Sequence, residues 1–148
     1  MSTYCVMFIP ECIETEISDQ EISKFRDISF NGEEPRILNN DKIAFADAGE
    51  NFEQVMCPFC KVDLMSWWGT AMSLAYSEEE GFTNLKVVTP CCGKTASLHN
   101  LAYVFPQGFY RIKIEFELLS VDEQIVDAVA TQLESITKNK WRIILARY

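Results

Sequence analysis

Four cysteines stand in two pairs whose spacing is typical of metal ligands. Cys57 and Cys60 form a Cys-x-x-Cys turn in VMCPFCK, and Cys91 and Cys92 are adjacent in TPCCGKT. A Cys-x-x-Cys turn lets two thiolates converge on one ion, and structural zinc takes four such donors in a tetrahedron. The sequence therefore predicts one Zn²⁺ site with all four cysteines as ligands. A four-thiolate site is closed, which favours a structural role for the zinc and no catalytic residue on it.

His99 is the one histidine of the chain and an alternative ligand. Most zinc ribbons use a Cys-x-x-Cys turn on both sides, so the adjacent Cys91 and Cys92 depart from the usual spacing. A lone histidine beyond such a pair is also typical of an ordinary strand or surface residue. Whether His99 contributes to the metal site stays open at this point.

A redox function is the alternative that the same residues allow. Cys57-Pro58-Phe59-Cys60 resembles the active-site motif of glutaredoxins, in which a thiolate of lowered pKa near a helix N-terminus attacks a disulfide. Cys57 would then be the nucleophile of a thiol-disulfide oxidoreductase. That hypothesis leaves Cys91 and Cys92 without a role. Nucleotide binding is excluded, because Gly93-Lys94-Thr95 matches only the end of a P-loop and Val88 stands where its first glycine belongs.

Hydrophobic periodicity predicts the elements that position these cysteines. Residues 110–118 alternate between apolar and charged side chains, which indicates a strand with one wet face. Ser18 with Glu21, and Ser120 with Glu123, match the capping box that begins a helix. The other predicted elements are strands at residues 4–9, 43–45, 52–56, 85–88, 97–105 and 141–148, a helix from Leu64 to near Gly81, and turns at residues 31–41.

The order of these elements predicts an α+β fold. A strand–helix–strand unit stands at each end of the chain, and the cysteine pairs lie between them. We expect a ferredoxin-like β-α-β/β-α-β sandwich with an inserted zinc-ribbon-like unit that carries a helix. A length of 148 residues suits one domain spanning residues 1–148, with the insertion at residues 56–105.

The charge of the chain limits its partners. The net charge is -9, and residues 1–56 hold 12 acidic and 4 basic residues. Non-specific nucleic-acid binding depends on clustered Lys and Arg, so we expect no nucleic-acid partner. The sequence shows neither a secretory signal nor an apolar run that would span a membrane, which predicts a cytoplasmic protein with no membrane partner. The acidic first third is suited to a protein partner with a basic surface.

Four segments resemble a family of small, uncharacterised bacterial proteins, some of which are labelled sugar ABC transporter ATPase. The segments are DAGENFEQVMCPFC, WWGTAM, TPCCGKTASLHNLAYVFPQGFYRI and WRIILARY, within residues 43–148. The resemblance implies that Cys57, Cys60, Cys91 and Cys92 form a matched set, and it implies Asn at the position of His99. The ATPase label does not carry over, because the chain lacks a complete P-loop.

These observations predict a non-enzymatic, zinc-stabilised, protein-binding module. One concrete form is an immunity-type inhibitor of a bacterial toxin, since an acidic surface can cover the phosphate-binding site of a basic nuclease. Trp67, Phe105 and Phe109 are the candidate partner-binding residues, because exposed aromatic side chains anchor many interfaces. A homodimer through an edge of the sheet remains an alternative.

Overall fold

The computed structural model describes residues 3–148, which form three helices and ten strands. The helices are α1 Asp19–Phe25, α2 Met65–Ala75 and α3 Glu123–Thr137. The strands are β1 Tyr4–Pro10, β2 Arg36–Ala46, β3 Gln54–Met56, β4 Tyr76–Ser77, β5 Gly81–Phe82, β6 Lys86–Val88, β7 Thr95–Ser97, β8 Ala102–Val104, β9 Gly108–Leu118 and β10 Trp141–Arg147. The predicted mixture of helices and strands is confirmed.

One six-stranded sheet joins the two ends of the chain, in the order β10-β1-β9-β2-β5-β4. The strand β9 lies between β1 and β2 and pairs antiparallel with both, so β1 and β2 run in the same direction. The strand β1 lies between β9 and β10 in the same way. The two strand–helix–strand units therefore share one sheet, a point that the sequence had left open.

Helices α1 and α3 pack against one face of this sheet. Alternate residues of β9, including Ile114 and Phe116, face the helices and are almost completely buried. Trp141 meets the ring of Phe25 edge-on, and its Nε1 donates a hydrogen bond to Thr137 at 2.9 Å. The period-two pattern of β9 thus becomes the wall of the main hydrophobic core.

The N-caps of α1 and α3 are polar side chains, one of which differs from the sequence prediction. Ser18 and Glu21 form the expected capping box at α1. The N-cap of helix α3 is instead Asp122, whose carboxylate accepts the Gln124 N–H at 2.9 Å, so the predicted box with Ser120 is wrong. An aspartate at the N-cap supplies the same acceptor as a serine and adds a favourable charge at the positive end of the helix dipole.

Three predicted boundaries also change. The single strand predicted at residues 97–105 is divided into β7, a short 3-10 helix at Leu98–Asn100, and β8, and the two strands belong to different sheets. The turn predicted at residues 31–41 is too long, because residues 36–41 belong to the strand β2. A register shift between Asn39 and Ala44 accommodates their polar side chains as a bulge. Helix α2 ends at Ala75 and not near Gly81. The chain there turns back as the hairpin β4-β5, which joins the main sheet where Phe82 lies opposite Ile43.

The elements from β3 to β8 follow β2 and precede β9, and they build a second core. Strand β3 pairs with β8, and β6 pairs with β7. Their buried side chains include Val55, Leu64 and Leu98, which cluster with Phe109 at the start of β9. No helix within residues 3–148 is both long and apolar enough to cross a membrane.

Candidate metal centre

The first cysteine pair lies in a tight turn that follows β3. The Cys57 N–H donates to the Val62 carbonyl at 2.9 Å, and the Lys61 N–H donates to the Cys57 carbonyl at 3.0 Å. Lys61 adopts a left-handed conformation with φ of 64°, which closes the turn directly after Cys60. The Phe59 N–H points back at the Cys57 sulfur at 3.4 Å. Backbone donors aimed at a sulfur stabilise its thiolate form.

The second pair lies in a matching turn between β6 and β7. The Thr89 N–H donates to the Lys94 carbonyl at 2.9 Å, and the Gly93 N–H donates to the Thr89 carbonyl at 2.9 Å. Gly93 is left-handed with φ of 65° directly after Cys92, as Lys61 is after Cys60. Cys60 and Cys92 therefore occupy equivalent positions in two equivalent turns.

The two turns bring the four sulfur atoms together. The four Sγ atoms all lie within 4.8 Å of one another. The Cys57 and Cys92 sulfurs are 3.9 Å apart, and the Cys60 and Cys91 sulfurs are 3.5 Å apart. A tetrahedral ion with Zn–S bonds of about 2.3 Å holds its sulfurs about 3.8 Å from each other. The four cysteines thus form a set that could hold a metal ion.

The thiols differ in burial and in pKa. Cys57 is buried and Cys92 is half-buried, whereas Cys60 and Cys91 are exposed. Burial raises the pKa of Cys57, but hydrogen bonds from the backbone of Cys60 and Phe59 and from neighbouring thiols outweigh it and lower the pKa to about 6. The thiol of Cys60, together with burial, raises the pKa of Cys92 to about 12. Cys57 is therefore the first of these two groups to ionise.

His99 lies outside this cluster. Its ring is buried, its Nδ1 accepts the Phe109 N–H at 2.9 Å, and its Nε2 donates to the Glu11 carbonyl at 2.8 Å. Because the Phe109 N–H can only donate, Nδ1 must be unprotonated and the ring neutral. Burial and the nearby Arg142 charge lower the pKa of His99 to about 4. Both nitrogens are used, so His99 does not serve the metal centre.

A partly buried polar network around His99 connects the inserted elements to the sheet. Arg142 on β10 binds both carboxylate oxygens of Glu11 through Nε and Nη2. Its Nη1 donates to the carbonyls of His99 at 2.7 Å and Gln107 at 2.8 Å. The Gln107 side chain accepts the Ala48 N–H at 2.8 Å. Sequence reasoning missed this network, because Glu11 and Arg142 are 131 positions apart and belong to no motif.

The three candidate partner-binding aromatics occupy different environments. Trp67 on α2 is half-buried, and Phe105 is exposed in the loop after β8. Phe109 is completely buried, so its prediction as a partner-binding residue is wrong. Its ring packs against Phe45 and Phe82 at centroid distances of 4.9 and 5.0 Å. The inserted elements cover Phe109, whereas its neighbour Tyr110 is buried among residues of β1, β2 and β10.

Comparisons with protein-family models, with curated proteins and with solved structures find no match for the chain. Function is therefore inferred from the four-thiol cluster and from the surface around it.

Proposed function

We propose that Cys57, Cys60, Cys91 and Cys92 hold a structural Zn²⁺ ion. The closed set of four thiols carries this proposal, since a tetrahedral four-sulfur arrangement suits zinc. The bound ion would hold all four sulfurs as thiolates and displace the protons that Cys91 and Cys92 retain. The protein supplies two rigid turns and the backbone N–H group of Phe59. Metal binding would add to the free energy of unfolding of the inserted elements, whose core has fewer buried residues than the core between the sheet and the helices.

The strand order supports a ferredoxin-like sandwich as the frame of this site. The four strands of the two strand–helix–strand units stand in the order β10-β1-β9-β2, all antiparallel to their neighbours, with α1 and α3 on one face. Residues 56–105 would then be a zinc-ribbon-like insertion between its second and third strands. Strands β4 and β5 of that insertion extend the sheet beyond β2.

The role that best fits this architecture is a non-enzymatic, protein-binding module of the bacterial cytosol. A closed site leaves no coordination position for a substrate. The net charge of -9 favours a partner with a basic surface, as expected of an immunity-type inhibitor of a toxin. If the protein is an inhibitor of a toxin, we expect a toxin gene next to its own gene. Expression of that toxin alone should stop bacterial growth, and coexpression of this protein should restore it.

One observation favours the alternative function, a thiol-disulfide oxidoreductase. Cys57 has the lowered pKa that a nucleophilic thiol needs. Its side chain, however, is 0% exposed, whereas Cys60 is exposed. Attack on a disulfide requires the nucleophilic sulfur to reach it, so this burial pattern opposes the alternative.

Reduction of insulin disulfides by dithiothreitol distinguishes the two functions. The binding-module proposal predicts that the protein does not accelerate the reaction, and that Cys57→Ser has the same rate. A catalysed rate that Cys57→Ser abolishes would overturn the proposal and establish the oxidoreductase. Cys5→Ser is the matched control, because Cys5 lies outside the four-cysteine cluster.

A further inference from the structure

The four thiols of the metal centre divide into two classes by exposure. Cys60 and Cys91 are exposed, whereas Cys57 is buried and Cys92 is half-buried. Cys57 belongs to the core of the inserted elements, and Cys92 packs against that core. A small oxidant dissolved in water therefore reaches the sulfurs of Cys60 and Cys91 first.

The two exposed thiols are also close neighbours across the two turns. Cys60 belongs to the first turn and Cys91 to the second, and their sulfurs are 3.5 Å apart. A tetrahedral zinc ion with Zn–S bonds of about 2.3 Å separates its sulfurs by about 3.8 Å, so these two sulfurs stand nearer than the ion requires. A disulfide bond has an S–S distance of about 2.05 Å. Because both side chains are exposed, rotation about their χ1 bonds can close the remaining gap.

The other pairings within the cluster are less favourable. Cys91 and Cys92 are joined by a trans peptide, which sets their Cα atoms about 3.8 Å apart, below the range of about 4.4 to 6.8 Å that disulfides use. The Cys57 sulfur accepts the Phe59 N–H at 3.4 Å and lies 3.9 Å from the sulfur of Cys92. A bond from Cys57 to Cys60 would draw a buried sulfur away from these contacts. The pair formed by Cys60 and Cys91 is therefore the one that oxidation favours.

We propose that Cys60 and Cys91 are the site at which peroxides oxidise this protein. One thiolate attacks hydrogen peroxide, forms an S–O bond and releases hydroxide. The second thiolate then attacks that sulfur, so that the S–S bond forms, the S–O bond breaks and a second hydroxide leaves. The two sulfurs lose two electrons and the peroxide gains them. This inference rests on the proposed zinc site, and it adds a means by which that site is regulated.

Oxidation of this pair removes half of the zinc ligands. Cys57 and Cys92 remain, and two thiolates do not complete the four-coordinate site that structural zinc needs. The new disulfide joins the turn after β3 to the turn between β6 and β7, which are the same two turns that the metal joins. The turns therefore stay together when the metal leaves, and a dithiol reductant restores the site. The release of zinc is thus reversible.

Peroxide treatment of the zinc-loaded protein tests the site directly. A chromophoric indicator follows zinc release, free thiols are alkylated in denaturant, and mass spectrometry of the peptides identifies each disulfide. We expect one zinc ion released for each disulfide between Cys60 and Cys91, with Cys57 and Cys92 recovered as alkylated thiols. Dithiothreitol should then restore zinc binding. The exposed Cys12, which lies outside the cluster, should be oxidised more slowly, because a bound metal keeps its ligand sulfurs as thiolates.

Matched variants distinguish this pairing from the alternatives. Cys57→Ala and Cys91→Ala each remove one zinc ligand, so a difference between them reports on disulfide pairing and not on the loss of a ligand. Cys57→Ala should still form the disulfide between Cys60 and Cys91. Cys91→Ala should instead accumulate a sulfenic acid at Cys60, which dimedone traps. The double variant Cys5→Ser with Cys12→Ser should oxidise as the unsubstituted protein does, since both residues lie outside the cluster.

Two results would overturn this inference. The first is a predominant disulfide between Cys57 and Cys60 or between Cys91 and Cys92. The second is zinc that stays bound after Cys12 has been oxidised. Neither result would affect the zinc site itself, which is tested by the metal content before peroxide is added. Protein that contains no zinc and takes none up would contradict the zinc site, and this inference with it.

Discussion

Thr89 occupies the position in the second cysteine-bearing turn that Cys57 occupies in the first. Each residue donates its N–H to a carbonyl five positions later and accepts an N–H from the residue four positions later, at distances between 2.9 and 3.0 Å. Each is followed by proline, and each turn ends in a left-handed residue. In the second turn, Cys92 therefore matches Cys60, but the position that matches Cys57 is Thr89 and has no thiol. The second thiol of this turn comes instead from Cys91, two residues further along the chain.

This equivalence predicts that the fourth ligand can be moved. Cys91→Ala alone should weaken zinc binding about 100-fold, since one of four ligands is lost from a binding free energy of about 10 to 16 kcal/mol. The double variant Thr89→Cys with Cys91→Ala should recover most of the affinity, because the thiol introduced at position 89 would stand where Cys57 stands in the other turn. Competition with a chromophoric chelator measures both affinities.

The control for the double variant is Thr89→Cys in the presence of Cys91, which should bind one zinc ion and show one more free thiol than the unsubstituted protein, in which Cys5 and Cys12 lie outside the cluster. If the double variant binds zinc no better than Cys91→Ala, the two turns are not equivalent at the metal.

The buried His99 predicts a loss of stability in mild acid. Its pKa is about 4 in the folded protein, below its ordinary value of 6.5. The unfolded chain therefore takes up a proton first as the pH falls. The neutral ring makes its full contribution to the free energy of unfolding above pH 6.5. As the pH falls from 6.5 to 4, the free energy of unfolding decreases by about 3 kcal/mol in total.

Comparison with His99→Gln isolates this effect from other titrating groups. Glutamine also has a donor and an acceptor but does not titrate in this range. The difference in free energy of unfolding between the two proteins, measured with urea at each pH, should shrink between about pH 7 and pH 4. A difference independent of pH would show that the folded protein does not hold His99 neutral.

Arg142 is expected to contribute more to stability than the other arginine ion pairs. Arg142→Met would leave the carbonyls of His99 and Gln107 without their donor and Glu11 without its cation. The free energy of unfolding should fall by about 3 kcal/mol. Arg111→Met is the control, because Arg111 is 46% exposed and pairs with an exposed Glu14 at 3.6 Å, worth under about 1 kcal/mol. If Arg142→Met and Arg111→Met lowered the free energy of unfolding equally, the network around Arg142 would not be what holds the inserted elements to the sheet.

The beginning of α3 provides a test between structure and sequence pattern. Asp122→Ala should lower the free energy of unfolding by about 1 kcal/mol, since the Gln124 N–H loses its acceptor. Ser120→Ala should change it by less than about 0.5 kcal/mol, as for most exposed positions. Thermal unfolding of both variants measures the two losses of stability. A larger loss for Ser120→Ala than for Asp122→Ala would show that Ser120 is the N-cap, as the sequence predicted.

Sequence patterns predicted correctly those features that depend only on residues close together in the chain. The alternation in β9, the cap of α1 and the spacing of the four cysteines all depend on neighbouring residues. The strand through residues 36–41 was missed because Asn39, Asn40 and Asp41 are typical of turns, and a bulge that accommodates them depends on pairing with β9.

The remaining errors arise from contacts between distant segments. The alternation in β9 indicates which face is wet but not that inserted elements cover its first residues, so Phe109 was placed at the surface. The metal centre was predicted from cysteine types, whereas the equivalence of Thr89 and Cys57 appears only in backbone hydrogen bonds. The role of His99 depends on Glu11 and Phe109, and neither is marked by a motif.

The metal content of the purified protein tests the central claim most directly. Inductively coupled plasma mass spectrometry should find one zinc ion per chain. A thiol-reactive dye should find four cysteines protected before addition of a strong chelator and reactive afterwards. Protein without metal, in which Cys57 and Cys60 titrate as a reactive, reversible dithiol, would contradict the structural zinc centre and favour the redox function.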